Sequence, residues 1–141
     1  MESTPNPLEI NKREMDAYRR ACVLSSQEIA SSLLDSLPIG LIKDLVDVSG
    51  PKVVREWAAG RSPVRSRRHQ SRLRLAYQLT EVVKIADKPW VPPAWFETWN
   101  PLLNSSPKAL FKDLDTTPDR AAVMRQLAHA AIMLTASELD T

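Results

Sequence analysis

The sequence has little cysteine, histidine and glycine, and each shortage excludes a class of site. Among 141 residues there are one cysteine, two histidines and three glycines. Cys22 has no second cysteine for a disulfide, and its apolar neighbours predict a buried, unreactive thiol. His69 and His129 stand apart from any cysteine or carboxylate cluster at metal-ligand spacing, so we expect no metal site.

Patterns that carry catalysis are also missing from the sequence. It contains no glycine-rich phosphate loop, no Ser/His/Asp order and no paired carboxylates that stand out. Asp113 and Asp115 are interpreted as solvated residues near a helix end. We therefore predict a protein that is not an enzyme and that needs no cofactor.

Long apolar runs are absent as well. No run approaches the roughly 20 residues that cross a bilayer, and the first residues lack the charged-then-apolar order of a signal peptide. Hydrophobic residues at 43% and charged residues at 26% are typical of a globular protein. The sequence therefore predicts a cytoplasmic protein with no membrane contact.

What the sequence does contain is helical periodicity, without the alternating pattern of strands. Ser25 with Glu28 fits a capping box, while Ser106–Pro107 and Thr117–Pro118 each fit an N-cap followed by proline. These patterns predict an all-α fold, with helices at 8–24, 25–37, 41–48, 51–59, 66–86, a short one near Pro93, 107–114 and 118–136. In the first helix the expected packing positions are Leu8, Met15, Tyr18 and Cys22.

Positive charge is concentrated in one segment of the chain. Residues 52–74 contain eight Lys or Arg and one acidic residue, a net charge of +7, and because the whole chain carries +2 the remainder carries −5. Such a block is typical of a surface that binds polyanions, although a charge run is often only a solvated face.

A stretch that overlaps this basic block has the dimensions of a helix-turn-helix. Residues 39–60 offer an eight-residue helix, a turn at Ser49 and Gly50, and a second helix whose Val54 and Trp57 should face the core. We expect base contacts from Lys52 and Arg55, with phosphate contacts from Arg61, Arg65, Arg67 and Arg68. The alternative is a helical hairpin with a basic polar face. For Arg72 or Arg74 we expect a salt bridge with acidic residues of the core instead of a DNA contact.

Half of the eight aromatic residues lie within ten positions, at Trp90, Trp95, Phe96 and Trp99. One or two of these rings should pack in the core, and the others are candidates for anchors at a protein interface. The final helix is apolar on more than one side between residues 128 and 134, which also indicates a partner.

The segments WNPLLNSSPKALF and DRAAVMRQLAHAA resemble the C-terminal toxin-binding domain of the Xre/MbcA/ParS antitoxin family. The matching residues are Asn100, Pro101, Leu103, Ser106, Pro107, Leu110, Val123 and Leu127. Upstream, the family's Xre-like domain is matched by Trp57, Gly60, Arg72, Leu73, Ala76 and Tyr77. The resemblance covers residues 25–136 and departs from the family at Asn104 and Ser105, which replace a glycine pair, and at the absence of a glycine closing the last helix.

The resemblance implies three segments: an N-terminal extension helix at 1–24, an Xre-like helix-turn-helix domain at 25–88 and a toxin-binding helical domain at 89–141. It implies an antitoxin that covers the active site of a RES-domain, NAD-degrading toxin and represses its own operon by binding operator DNA, as a homodimer or a hetero-oligomer with the toxin. The expected toxin contacts are Trp95, Phe96, Trp99, Leu103, Met133, Leu134, Glu138 and Leu139.

Other interpretations stay open at this point. The main alternative is a stand-alone or phage-type regulator that dimerises through its C-terminal half and has no toxin. A third is a neutralising protein that does not bind DNA. Residues 137–141 either enter a partner's active site or form a frayed tail.

Overall fold

A computed structural model describes residues 7–139, with side chains described for residues 12–135. This part of the chain is all-α and contains no strand, which confirms the predicted fold class. Its helices are α1 (Pro7–Val23), α2 (Ser26–Ser36), α3 (Ile39–Val46), α4 (Pro51–Ala58), α5 (Arg67–Val83), α6 (Val91–Glu97), α7 (Pro107–Lys112) and α8 (Arg120–Leu139). None of these helices has the length and apolar character needed to cross a membrane.

Side-chain caps decide where several of these helices begin. The Ser25 hydroxyl accepts from the Glu28 amide at 3.1 Å and the Glu28 carboxylate accepts from the Ser25 amide at 3.0 Å, so the predicted capping box is present. Ser106 caps α7 as predicted. The predicted start of α8 at Pro118 is wrong: the helix begins at Arg120, because the Asp119 carboxylate accepts the Ala122 amide at 3.0 Å and supplies the cap.

The helices share one hydrophobic core with α5 at its centre. Helix α5 packs against α1, α2, α3, α6 and α8, and its Leu73, Ala76 and Val83 are fully buried. The core also contains Leu45 of α3 and Leu127 of α8. The three segments predicted from the sequence therefore pack around a shared core. The last helix, α8, packs against α1 and α5 and helps to bury them.

Helix α1 packs through a different face from the one predicted. Its buried residues are Ala17 and Ala21, whereas Met15, Tyr18 and Cys22 are exposed, so the predictions of a packed Met15 and Tyr18 and a buried thiol are wrong. The small alanine side chains permit close approach to α5. At the far end of α5, the guanidinium of Arg13 donates to the carbonyls of Val82 at 3.1 Å and Lys84 at 3.0 Å. The predicted contact of Leu8 lies outside the described side chains.

Candidate nucleic-acid interface and protein-binding surface

Helix α4, the loop after it and the first part of α5 carry the basic segment, and α3 packs against α4. Asp47 adopts a left-handed conformation with φ 61° and ends α3, and Pro51 begins α4. Val54 is 0% exposed and Trp57 4%, as the spacing predicted. Gly60, which follows α4, has φ 73°, a left-handed conformation that favours glycine.

Five of the six predicted DNA-contacting residues are exposed. Lys52 and Arg55 lie on the outer side of α4, and three arginines follow in the loop and at the start of α5: Arg61, Arg65 and Arg67. No carboxylate of the described residues forms an ion pair with any of these five. Their positive charges are therefore free to meet an external anion.

Arg68, the sixth predicted contact, is engaged inside the molecule. Its guanidinium forms ion pairs with Asp47 at the end of α3 and with Asp115 between α7 and α8. Two hydrogen bonds raise the pKa of Arg68: the larger contribution comes from the bond to Asp115 and the smaller one from the bond to Asp47. We therefore correct its assignment: Arg68 links two parts of the fold and is not a free phosphate ligand.

Arg72 is the buried partner in the same network. It is 0% exposed, and its two terminal nitrogens donate to the Leu45 carbonyl at 2.9 Å and to the Asp115 carboxylate at 3.0 Å. The internal pairing predicted for Arg72 is thus confirmed. Asp115, by contrast, is wrongly interpreted as merely solvated, because it binds both Arg68 and Arg72 and joins α5 to the connection between α7 and α8.

Acid should weaken this network. The hydrogen bond from Arg68, with that from Arg72, holds the pKa of Asp115 below its usual 3.8, and the hydrogen bond from Arg68 does the same for Asp47. A carboxyl whose pKa is lower in the folded state contributes stability above its unfolded pKa and loses it as the pH falls through the folded value. We expect the free energy of unfolding, measured by urea titration, to fall below about pH 4. Asp115→Asn should flatten that fall; an unchanged slope would contradict the assignment.

Two of the predicted toxin contacts belong to the core. Trp95 is 6% exposed and Phe96 0%. Their rings meet edge to face at 5.0 Å, and Phe96 packs against Phe111 at 6.0 Å in the same way. The prediction that Trp95 and Phe96 contact a partner directly is therefore wrong, since both side chains are buried and Phe96 packs α6 against α7.

The other tryptophans of this segment are exposed. Trp90 is 62% exposed and Trp99 60%, and together with Pro101 and Leu134 they border a groove of about 300 Å³. We call these four residues the tryptophan surface. Among the residues whose side chains are described, none that lines the groove is charged, and Trp95 lies against it. The Trp95 indole N–H makes no hydrogen bond within the described part of the chain.

Five predicted toxin contacts remain, and the structure describes the side chains of three of them. Leu134 belongs to the tryptophan surface, Met133 beside it is 45% exposed, and Leu103 is partly buried against the core. Glu138 and Leu139 lie outside the described side chains.

Comparison with known proteins finds no relative of this chain. The chain matches no family model, no curated protein and no solved structure. Within the described part of the chain, no group of three or more His, Cys, Asp or Glu could hold a metal ion.

Trp90 and Pro101 belong to the tryptophan surface but were not among the toxin contacts predicted from the sequence. Trp90 precedes the first residue of α6 and Trp99 follows its C-cap, whereas Trp95 and Phe96 lie within the helix. A signal for this was in the sequence: the prolines at 92 and 93 place the start of a helix after Trp90, so the two outer indoles flank the helix instead of facing its core.

Proposed function

We propose that this protein is the antitoxin of a type II toxin–antitoxin system. Its exposed basic residues bind operator DNA, and its tryptophan surface binds a RES-domain toxin that degrades NAD. One observation carries the proposal: five cationic side chains that form no ion pair among the described residues, and a tryptophan groove whose described lining carries no charge, are both exposed on one small helical core. These two surfaces suit two different partners, a polyanion and a polypeptide.

The basic surface supports the DNA-binding part. Lys52 and Arg55 project from α4 on the side opposite the buried Val54 and Trp57, where a helix entering a major groove needs its contacts. An arginine fork can donate two parallel hydrogen bonds to guanine. The arginines that follow α4 then suit phosphate contacts, which orient a protein on the duplex.

The tryptophan surface supports the toxin-binding part. Tryptophan is enriched among the residues that dominate binding energy at protein interfaces. A short turn holds this surface in place: the Asn100 amide donates to the Ser105 carbonyl at 2.8 Å, and the Asn100 side-chain oxygen accepts from the Leu102 amide at 2.9 Å. The turn fixes Trp99 on one side and Pro101 on the other. The resemblance to the Xre/MbcA/ParS family includes this Asn-Pro pair and assigns the partner, for which NAD is the substrate.

The DNA-binding part is tested by Arg55→Ala combined with Arg61→Ala. We expect the affinity for DNA from upstream of the protein's own gene to fall by about 30-fold, because a lost bidentate arginine–guanine contact is worth roughly 1–3 kcal/mol and about 2 kcal/mol corresponds to that factor. Fluorescence anisotropy at fixed salt measures this. The matched control is Arg19→Ala, which removes an exposed arginine of α1 outside the basic segment and should leave the affinity unchanged.

Two further results separate the interpretations. The affinity of the unmodified protein should fall as salt rises, because phosphate contacts release counterions. The double variant should still protect cells from the co-expressed toxin, since neither arginine borders the tryptophan surface. Equal loss of DNA affinity in the double variant and the Arg19 control would refute the base-contact assignment, and a toxin that the unmodified protein fails to neutralise would leave only a regulator.

A further inference from the structure

An apolar groove that the proposed function does not use lies between α1, α5 and α8. Its volume is about 450 Å³, and most of its lining residues are apolar. The floor comes from Leu75, Leu79 and Val82 of α5, with Met124 and Ala128 of α8 at the side. The groove shares no residue with the tryptophan surface or the basic segment.

Exposed apolar side chains stand at the edge of this groove. Met15 is 49% exposed and Tyr18 56%, and both line it from α1. Cys22 lies one turn further along the same face, where its thiol interacts with the Tyr18 hydroxyl and raises the pKa of Tyr18. Large side chains that remain in water beside an apolar groove are typical of an association surface.

The charges of the groove identify its occupant. Glu14 of α1 and Arg125 of α8 both line it, and neither forms an ion pair within the described part of the chain. In a two-fold symmetric pair, a residue that contacts another across the interface is contacted by it in return. Glu14 of one copy can therefore face Arg125 of the other, twice over, while Met15 and Tyr18 of each copy enter the opposite groove.

We propose that the groove between α1, α5 and α8 is a homodimer interface, closed by Met15 and Tyr18 and aligned by reciprocal Glu14–Arg125 pairs. The partner is a second copy of this chain because a single surface supplies both charges, the projecting side chains and the space that receives them. The inference does not rest on the proposed function, since the dimer forms from the protein alone.

Sedimentation equilibrium of the purified full chain, without DNA or toxin, tests the interface. We expect a mass at micromolar concentration of twice the 15.8 kDa chain. Glu14→Arg and Arg125→Glu should each weaken the dimer at least about tenfold, because like charges then face each other at both contacts. The variant that carries both substitutions should dimerise again, because opposite charges then face each other once more. If either residue only stabilised the fold, the second substitution would not restore the dimer.

Three controls make the outcome decisive. Tyr18→Glu should give a monomer with unchanged helical circular dichroism, since the Tyr18 side chain is more than half exposed. Cys22→Ser should remain dimeric, which excludes a disulfide as the cause. A monomeric unmodified chain would overturn the proposal, and so would a dimer that survives Glu14→Arg or Tyr18→Glu, or a double charge exchange that fails to restore association.

Discussion

Asp115→Ala is expected to lower the free energy of unfolding by about 3 kcal/mol. The substitution leaves the guanidinium of Arg72 buried without its carboxylate, and removing one member of a buried ion pair typically costs about 3–5 kcal/mol. The lower end applies because the Asp115 side chain is 33% exposed, so water can reach the space that it leaves. Urea unfolding monitored by circular dichroism at neutral pH measures the change.

The matched control for Asp115 is Asp113, two residues earlier. The Asp113 side chain is exposed and makes no ion pair among the described residues, so Asp113→Ala should change stability by no more than about 0.5 kcal/mol. Adding Arg72→Met to Asp115→Ala should recover part of the loss, because an apolar side chain then fills the space of the unpaired charge. If the two alanine variants are equally stable, the network contributes little to folding.

The local features of the fold follow from the sequence. The capping residues Ser25 and Glu28 act within three positions of each other, and Val54 with Trp57 show their inward direction by spacing alone. These features depend on residues only three or four positions apart, so the spacing of residue types in one sequence is enough to predict them.

Features that depend on distant contacts were not predictable in the same way. Helix α1 packs through Ala17 and Ala21, but a hydrophobicity pattern favours the larger Met15 and Tyr18. Arg68 pairs with a carboxylate 47 positions away, and nothing in the basic run distinguishes it from its exposed neighbours. The sequence therefore predicted a basic surface but overcounted its free charges.

The shared core determines how the two surfaces can be separated by experiment. A truncation after Asp119 would remove Leu127, Ala130 and Ala131, all of them buried in that core, and would unfold more than the toxin-binding part. Substitutions at exposed positions avoid this. Trp90 and Trp99 are suitable because each keeps about 60% of its side chain in water.

Trp90→Ala combined with Trp99→Ala is expected to lower the affinity for the proposed partner, a RES-domain toxin, by about 1,000-fold. Tryptophan anchors at protein interfaces typically contribute at least about 2 kcal/mol each, and a loss of about 4 kcal/mol corresponds to that factor. Isothermal titration calorimetry with the purified toxin measures the affinity. In cells, the same variant should fail to protect against the toxin while still repressing its own promoter.

The control for this variant is Val23→Ala, which truncates an apolar side chain that is 80% exposed at the end of α1. It should bind the toxin normally, because it borders neither the groove nor its indoles. The double tryptophan variant should also unfold at the same urea concentration as the unmodified protein, since the core aromatic residues Trp95 and Phe96 stay in place. A variant that is stable and still binds the toxin tightly would remove the tryptophan surface from the interface.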